Sequence, residues 1–455
     1  MKTIVLGAGQ VGEQICRYLS REDCDVTVVD TNYNFVRRIS EHLNLTGIVG
    51  HAADPSVLKN AGVNQAHLLV AVTSSDETNI VACLVARNLG SGARTIARLR
   101  NQNFLEGVMQ EHGGPIDTVI NPEREVAEAA VRLLDSPSLF DRRNILGNSA
   151  VLAGIRLSKN CPLLNTPLRQ MSELFTDLAA VVVGYRRSGS LVAAASDDQL
   201  FAGDEVYVCM GKDDLERTLH LFGKESVPCS RLIIVGAGKV GIEISTLLDR
   251  QSRRTSVKFI EIDRKRAEFA AEFLERRVIL NGDGLNREIL EEAGINAADA
   301  ILAVTQDDKT NLLVATRAKR LSESLTAVSL VNEPFLAPLI DQLSIDSMID
   351  PRDTTVSSIL PHIRMKQITR VGFIGDSEAE LVEATIGAGS RISGKTIKNA
   401  GLTEGVMVGA VRKGDQVVKI QPDTRMREGD SVAFFALAGD VPELLNLLRP
   451  DEQSN

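Results

Sequence analysis

The sequence predicts an α/β protein made of two Rossmann-like parallel-sheet domains, each followed by a small α+β domain. Three motifs recur in the same order at an offset near 230 residues, which is far longer than a solenoid period and indicates a duplicated pair of domains. They are a glycine-rich hexad at residues 7–12 and 236–241, a segment at 50–62 and 282–294, and a Val-Thr-x-x-Asp-x-x-Asn motif at 72–79 and 304–311.

Within each copy, short apolar strands alternate with helical stretches. In the first copy the glycine hexad follows a first apolar run at residues 3–6, and we expect the second to fifth strands at residues 25–30, 47–49, 68–73 and 95–99. This alternation predicts parallel strands joined by helices. After the hexad, apolar residues recur at helical spacing from Val11, as they do in the second copy, so both helices are expected to pack on their sheets.

A second repeated unit follows each Rossmann unit. Val183-Gly184 and Gly203-Asp204 reappear as Val408-Gly409 and Gly429-Asp430 with similar spacing between them. These units carry no cluster of titratable residues typical of a site, and we expect them to pair with another subunit or to bind a weak ligand. The predicted domain limits are residues 1–135, 145–226, 229–352 and 370–450.

Composition excludes several classes of function. The 455 residues carry a net charge of −9, which argues against a nucleic-acid partner because phosphate backbones are bound by clustered Lys and Arg. The six cysteines form no Cys-x-x-Cys pair and have no nearby His at ligand spacing, so we expect reduced thiols and no metal. No window reaches the ~18 apolar residues of a spanning helix, so we expect a cytosolic protein that reaches a membrane through a partner.

The glycine hexads have the spacing of a dinucleotide-binding loop. In Gly-x-Gly-x-x-Gly the first glycine permits the turn, the second lets a pyrophosphate approach the backbone, and the third lets helix and sheet pack closely. Asp30 and Asp263 follow at the distance of the acidic residue that binds ribose hydroxyls and repels a 2′-phosphate. This pattern favours NAD(H) or an adenine nucleotide over NADP, although Asp30 could also merely end a strand.

Two further loops should border the same crevice, because open parallel sheets bind ligands at the carboxyl ends of their strands. The loop after the third strand contains Ala52, and the loop after the fourth contains Thr73 and Ser74, whose hydroxyls could equally cap a helix. The second copy has Asp283 where the first has His51, and an aspartate there could add a polar contact.

Arg98 follows the fifth predicted strand and could place a guanidinium beside the phosphates of a ligand. Alignment of Asn101 with Asn332 puts Ser329 at the matching position of the second copy, so the two sites are not expected to bind one charged ligand equally well. The alternative is that Arg98 is a solvated charge at the end of a strand.

Several segments resemble the RCK domains, also called KTN domains, of potassium-channel and transporter regulators: GAGQVGEQI near the start, VTVVD ending at Asp30, and LLVAVTSSDETNIVAC from Leu68 to Cys83. The resemblance spans nearly the whole chain. It implies a cytosolic, peripheral membrane subunit that forms a homo-oligomeric ring, a tetramer, under a membrane-embedded potassium transporter subunit. In that family, binding of NAD(H) or ATP/ADP changes the shape of the ring and gates the pore.

The residue patterns and the resemblance together give the candidate nucleotide-binding residues. In the first copy they are Gly7, Ala8, Gly9, Gln10, Val11, Gly12, Asp30, Ala52, Thr73, Ser74 and Arg98, and in the second they are Gly236, Ala237, Gly238, Lys239, Val240, Gly241, Asp263, Asp283 and Thr305.

An NAD-dependent oxidoreductase is the alternative class of protein. Hydride transfer needs a substrate cavity with a positioned acid or base, whereas the six histidines are scattered and none lies in a recognisable catalytic pattern. The small second units are also too short to supply a substrate domain. We therefore expect a regulator without catalytic residues, and a scaffold that binds no nucleotide is the third possibility.

Overall fold

A computed structural model describes the chain except residues 22–23, 102–103, 105–113, 115, 176, 226, 252–254, 337–338, 364–367, 376–377 and 450–455. Two compact units divide it. One comprises residues 1–125 and 352–365, and the other comprises residues 126–351 and 366–455. The domain limits expected from the sequence remain a proposal, because these units cut across the connecting helices.

The first N domain is a six-stranded sheet in the order β3-β2-β1-β4-β5-β6, and β1 and β4 are parallel neighbours. The chain adds β2 and β3 on one side of β1, then crosses over and adds β4 to β6 on the other side. Its central strands are almost wholly apolar, as strands covered by helices on both faces require. The strands are β1 (Lys2–Leu6), β2 (Asp25–Asp30), β3 (Thr46–Val49), β4 (Leu68–Ala71), β5 (Arg94–Arg98) and β6 (Thr118–Ile120), and the helices are α1 (Gln10–Arg21), α2 (Tyr33–Leu43), α3 (Pro55–Asn60) and α4 (Asp76–Asn88).

A helix at Pro122–Leu134, here α5, leads to the first C domain, which is a five-stranded antiparallel sheet in the order β10-β9-β11-β8-β7. Both α+β units follow their Rossmann domains as predicted from the sequence. The elements are β7 (Asp141–Ile145), β8 (Ala150–Arg156), α6 (Leu168–Leu174), β9 (Ala180–Arg187), β10 (Ser190–Ala193), β11 (Glu205–Gly211) and α7 (Leu215–Leu221).

The second N domain repeats the first, with strand order β14-β13-β12-β15-β16-β17 and all pairs parallel. The predicted Rossmann duplication is confirmed. Its elements are β12 (Arg231–Val235), α8 (Lys239–Arg250), β13 (Ser256–Glu261), α9 (Arg264–Phe273), β14 (Val278–Asn281), α10 (Arg287–Ala293), β15 (Ala300–Ala303), α11 (Asp308–Leu321), β16 (Thr326–Leu330), α12 (Leu339–Gln342) and β17 (Ser347–Ile349).

A second connecting helix, α13 (Pro351–Ile363), leads to the second C domain, whose antiparallel sheet has the order β18-β19-β22-β20-β21. This is the order of the first C domain, written from the opposite edge of the sheet. Its elements are β18 (Ile368–Ile374), β19 (Ala379–Thr385), β20 (Val406–Lys413), β21 (Gln416–Val418), β22 (Ser431–Leu437) and α14 (Val441–Leu448). Among the described helices, none combines the length and the apolar character needed to cross a membrane.

The two connecting helices are exchanged between the copies. From Val126 onward, α5 joins the apolar core of the second N domain, where its Ala130 and Leu134 are buried with Leu232 and Ile244. Conversely, α13, which follows the second N domain in the chain, contacts the first N domain. There Asp353 accepts a hydrogen bond from the Gln14 side chain at 2.5 Å, and the His362 carbonyl oxygen accepts one from Arg94 at 3.1 Å.

The sheets of the two C domains share one core, which explains the repeated Val-Gly motif. A Cβ atom at Gly184 would lie 2.7 Å from the Phe435 ring, and one at Gly409 would lie 2.5 Å from Cys209 Sγ. Phe435 and Cys209 are fully buried. Each repeated glycine therefore leaves room for a side chain of the opposite sheet.

We expect Gly184→Ala to lower the stability of the protein by about 1–3 kcal/mol, because the added methyl group overpacks this core. Gly439→Ala is the matched control, since a Cβ atom there meets nothing within 4 Å. Thermal unfolding measures both. Equal unfolding temperatures for the two variants would contradict the packing described here.

Candidate functional site

The first glycine loop joins β1 to α1 at the carboxyl end of the sheet. Gly7 has a φ of +108°, and a Cβ atom there would lie 2.9 Å from the Thr73 nitrogen. A Cβ atom at Gly12 would lie 1.8 Å from the Gly7 carbonyl oxygen, whereas one at Gly9 would meet nothing within 4 Å. The outer glycines are thus required by packing within the protein, and Gly9 faces open space.

The open space at Gly9 adjoins the start of α1. Helix α1 begins at Gln10, and the amides of a first helical turn have no acceptor within the helix. Such amides, together with the positive end of the helix dipole, bind phosphate groups. The local geometry is therefore that of an anion-binding loop.

Asp30 ends β2 beside this loop. One of its carboxylate oxygens accepts a hydrogen bond from the Ala8 amide at 2.7 Å, and the other accepts one from the Asn32 amide at 2.8 Å. The carboxylate is consequently held in a fixed orientation next to the glycines, which is the position predicted from the sequence.

A buried amide ties the neighbouring loops together. Asn79, which is fully buried on α4, accepts hydrogen bonds from the Thr73 amide at 3.0 Å and from its hydroxyl at 2.7 Å. Its own amide group donates to the Arg98 carbonyl oxygen at 2.8 Å. Asn79 thereby connects the ends of β4 and β5, and it was not among the residues predicted for the site.

Arg98 ends β5 and lies in the same network rather than in solvent. It is 9% exposed, and its guanidinium donates to the Thr73 carbonyl oxygen at 2.8 Å. Burial, reinforced by the nearby charge of Arg100, lowers the pKa of Arg98 to about 10. A cation held in this desolvated position interacts strongly with an anion that approaches it.

The remaining candidates of the first copy differ in exposure. Ser74 is exposed at the tip of the loop after β4, between Thr73 and the residue that caps α4, Ser75. The side chain of Ala52, by contrast, is buried in the apolar core, so that only its backbone can face a ligand. His51 is exposed, and its Nδ1 accepts from the Ala53 amide at 3.3 Å.

The second glycine loop repeats the geometry of the first. Gly236 has a φ of +108°, and a Cβ atom at Gly241 would lie 2.3 Å from the Gly236 carbonyl oxygen. Gly238 faces open space, as Gly9 does. Thr305 donates through its hydroxyl to the buried Asn311 at 2.7 Å, which reproduces the Thr73–Asn79 pair.

The acidic residue of the second loop is Glu261, and the predicted Asp263 has another role. Glu261 ends β13, is 5% exposed, and accepts from the Ala237 amide at 2.8 Å and the Asp263 amide at 3.0 Å. Asp263 caps α9 by accepting from the Arg266 amide at 2.9 Å. The residue that corresponds to Asp30 is the last residue of its strand, and the last residue of β13 is Glu261. The position of the strand end therefore identifies Glu261, whereas the residue count from the glycines does not.

The counterpart of Arg98 is Leu330, and the predicted alignment with Ser329 was one residue out of register. Asn311 donates to the Leu330 carbonyl oxygen at 3.0 Å, as Asn79 does to that of Arg98. The strand pairs agree, because Ala303 is paired with Ser329 where Ala71 is paired with Ala97. The charge of Arg98 thus has no counterpart in the second copy, which has an apolar side chain at this position instead of the polar one that the sequence alignment suggested.

Two other residues of the second copy also differ from their counterparts. Lys239 is exposed at the start of α8, where the first copy has Gln10. Asp283 is exposed, and its carboxylate accepts from the Leu285 amide at 2.8 Å, which resembles the turn formed by His51. Among the described residues, no group of His, Cys, Asp and Glu could hold a metal ion.

Comparison with known families defines the class of protein. The family model of the TrkA-N domain matches residues 3–122 and 232–351, and that of the TrkA-C domain matches residues 152–223 and 381–449. The chain is therefore a tandem array of TrkA-N and TrkA-C domains. It belongs to the TrkA family of Trk system potassium uptake proteins, as the resemblance to RCK domains predicted.

Curated relatives and solved structures agree with this assignment. The Trk system potassium uptake protein TrkA of Azorhizobium caulinodans is 38% identical over 99% of both chains, and that of Vibrio alginolyticus is 31% identical over 96% of this chain and 95% of its own. The crystal structure of the GsuK RCK domain has a similar fold, with a TM-score of 0.60 at 18% identity over 98% of this chain and 94% of its own.

We expect Gly12→Ala to disrupt the first N domain, because its methyl group would have to occupy the position of the Gly7 carbonyl oxygen. Gly9→Ala, in contrast, leaves the fold intact because its methyl group enters open space. Circular dichroism and thermal unfolding of the two variants test this difference. A Gly12→Ala protein as stable as the wild type would rule out the close contact.

Proposed function

We propose that this protein is a cytosolic, nucleotide-sensing regulatory subunit of a Trk-type potassium uptake system and has no catalytic activity. The observation that carries the proposal is the glycine loop with open space at Gly9, flanked by the fixed carboxylate of Asp30 and the buried guanidinium of Arg98. The three features together suit a dinucleotide or an adenine nucleotide, namely NAD(H), ATP or ADP.

In this proposal each part of the site has one role. The amides at the start of α1 bind the phosphates, and Asp30 binds the ribose hydroxyls and repels a 2′-phosphate. Arg98 adds a charge-assisted interaction with the phosphates, while Thr73 and Ser74 line the rim. In the second copy Glu261 takes the role of Asp30, and Leu330 supplies no charge.

Names of related proteins support the regulatory part of the proposal. The relatives are named potassium uptake proteins, and a structure with the same fold is that of the GsuK channel bound to NAD. We infer that this chain forms a homo-oligomeric ring, a tetramer, beneath a membrane-embedded subunit of the TrkH or TrkG type. Nucleotides gate that subunit by binding one conformation of the ring better than another, so their differential affinity sets the shift in population.

Binding without consumption distinguishes this regulator from an oxidoreductase. Purified protein is incubated with NADH, while thermal unfolding and the absorbance of the reduced nicotinamide are followed together. Stabilisation at constant absorbance supports the regulator, since a ligand that binds only the folded state raises its stability. Loss of absorbance with a small carbonyl compound refutes it, as does the absence of any stabilisation by NADH, ATP or ADP.

Exchange of Arg98 and Leu330 tests the inequality of the two sites. We expect Arg98→Leu to weaken ADP binding at the first site by roughly 10- to 100-fold, because hydrogen bonds to charged groups contribute about 1.5–3 kcal/mol. Leucine is accommodated at this position in the second copy, where Leu330 is 6% exposed. The reciprocal Leu330→Arg is expected to strengthen the second site.

Isothermal titration calorimetry on the two single variants and the double exchange measures both affinities. Arg100→Leu serves as the control, because this neighbouring arginine is exposed and its side chain faces Glu123 at 3.8 Å. Unchanged ADP affinity in Arg98→Leu would remove Arg98 from the site.

Asp30 is expected to select NADH over NADPH. In Asp30→Asn the repulsion of the 2′-phosphate is lost, so the preference for NADH falls by about tenfold or more, equivalent to ~1.4 kcal/mol. Asp25→Asn is the matched control, since Asp25 is an exposed aspartate at the other end of the same strand. Competition of NADPH against bound NADH gives the ratio, and an unaltered ratio in Asp30→Asn would contradict the assignment.

A further inference from the structure

A large cavity lies at the amino ends of the strands of the second N domain, at the edge opposite the glycine loop. Its volume is about 710 Å³, which is within the range of small-molecule sites. One wall comes from the first C domain and its linker, through residues 137–140, 156–158, 224–225 and 227–228. The other wall comes from the second N domain, through residues 231, 296–299, 319, 323–326 and 346.

Hydrogen bonds hold the two walls together. The hydroxyl of Ser347, next to the cavity, donates to the Phe140 carbonyl oxygen at 2.7 Å, and that of Thr326 donates to the Pro137 carbonyl oxygen at 3.3 Å. Within the first wall, the Ser138 hydroxyl donates to the Glu225 carbonyl oxygen at 2.9 Å. Hydrogen bonds between the two walls therefore fix the shape of the cavity.

Most charged side chains that line the cavity are already paired. Arg231 lies 3.3 Å from Asp299, and Lys319 lies 3.0 Å from Asp346. Arg156 lies 2.6 Å from Glu205, which is outside the lining. Two carboxylates of the lining, those of Glu225 and Glu323, belong to exposed residues.

Lys224 is the exception among the cations. It is partly buried, and no hydrogen bond or ion pair to its ammonium group is found among the described residues. Burial and the charge of Arg156 both lower the pKa of Lys224, partly opposed by Cys161 and Asp346. A cation withdrawn from water beside a second cation is unfavourable unless an anion joins them.

The duplication shows that the fold does not require this arrangement. Strand pairing sets Arg156 opposite Glu205 in the first C domain and Thr385 opposite Ser431 at the same place in the second. The C domain thus forms without a cation at this position. The fold therefore requires neither Arg156 nor its partner Glu205, and the cation at this edge of the cavity is particular to the first copy.

We propose that the cavity binds a small organic anion whose carboxylate or phosphate group lies between Lys224 and Arg156. The apolar body of the ligand packs against Phe140, Leu157 and Val227, which line the same space. This site is separate from the glycine loops, and a ligand in it would tie the first C domain to the second N domain.

The test uses the full chain and two probes, citrate for a carboxylate ligand and inorganic phosphate for a phosphate ligand. Thermal unfolding and calorimetry are carried out at constant ionic strength, with chloride as the reference anion. We expect stabilisation by at least one probe, and at least a tenfold loss of its affinity in both Lys224→Gln and Arg156→Gln. Lys212→Gln, an exposed lysine of the same domain, is the control and keeps the affinity of the wild type.

Other outcomes overturn the proposal. One is that neither probe stabilises the protein more than chloride does. Another is that the affinity is unchanged in Lys224→Gln but lost in Arg98→Leu, which would place the anion in the first glycine loop. Because Arg156→Gln also breaks the pair with Glu205, its unfolding temperature without a probe is measured as well, and Lys224→Gln decides the matter if that variant fails to fold.

Discussion

In each N domain the helix after the glycine loop lies very close to the first glycine of that loop, and the rest of the site depends on this contact. At Gly12 and Gly241 there is no space for even a methyl group beside the carbonyl oxygen of Gly7 or Gly236. This contact brings the start of the helix against the sheet, and so points its first amides into the crevice. The acidic strand end and the buried asparagine then fix the two sides of the crevice.

Most of the architecture and the position of the glycine loops follow from sequence patterns, because glycine spacing and apolar alternation reflect local geometry. For this reason the sequence predicts that Asp30 lies beside the first glycine loop, where its carboxylate accepts from the Ala8 amide. Asp263 was misplaced because counting residues to an aspartate ignores where β13 ends, and only strand pairing assigns that position to Glu261. Similarly, Arg98 was aligned with Ser329 instead of Leu330, because the segment between the strand end and the following asparagine differs in length between the copies. The exchange of α5 and α13 was missed because an apolar helix face predicts burial without naming its partner.

The two N domains share the residues that shape the crevice but differ in one charged residue beside it. Both retain the loop, a carboxylate bound to the second residue of the loop and the threonine–asparagine pair, since these are needed to shape the crevice. Where the second copy has Leu330, the first has the buried cation of Arg98, which costs desolvation energy and donates a hydrogen bond to the Thr73 carbonyl oxygen. The second N domain thus forms without a cation at this position.

The sheet of the second N domain is bordered by a crevice at its carboxyl edge and by a cavity at its amino edge. Parallel sheets usually bind ligands at their carboxyl edge, where helix amides converge. Here the amino edge is also enclosed, because α5 is buried against the second N domain and its C domain follows directly. Exchange of a connecting helix therefore does more than join the copies. It also encloses an additional space at the amino edge of a sheet whose carboxyl edge has Leu330 in place of a buried cation.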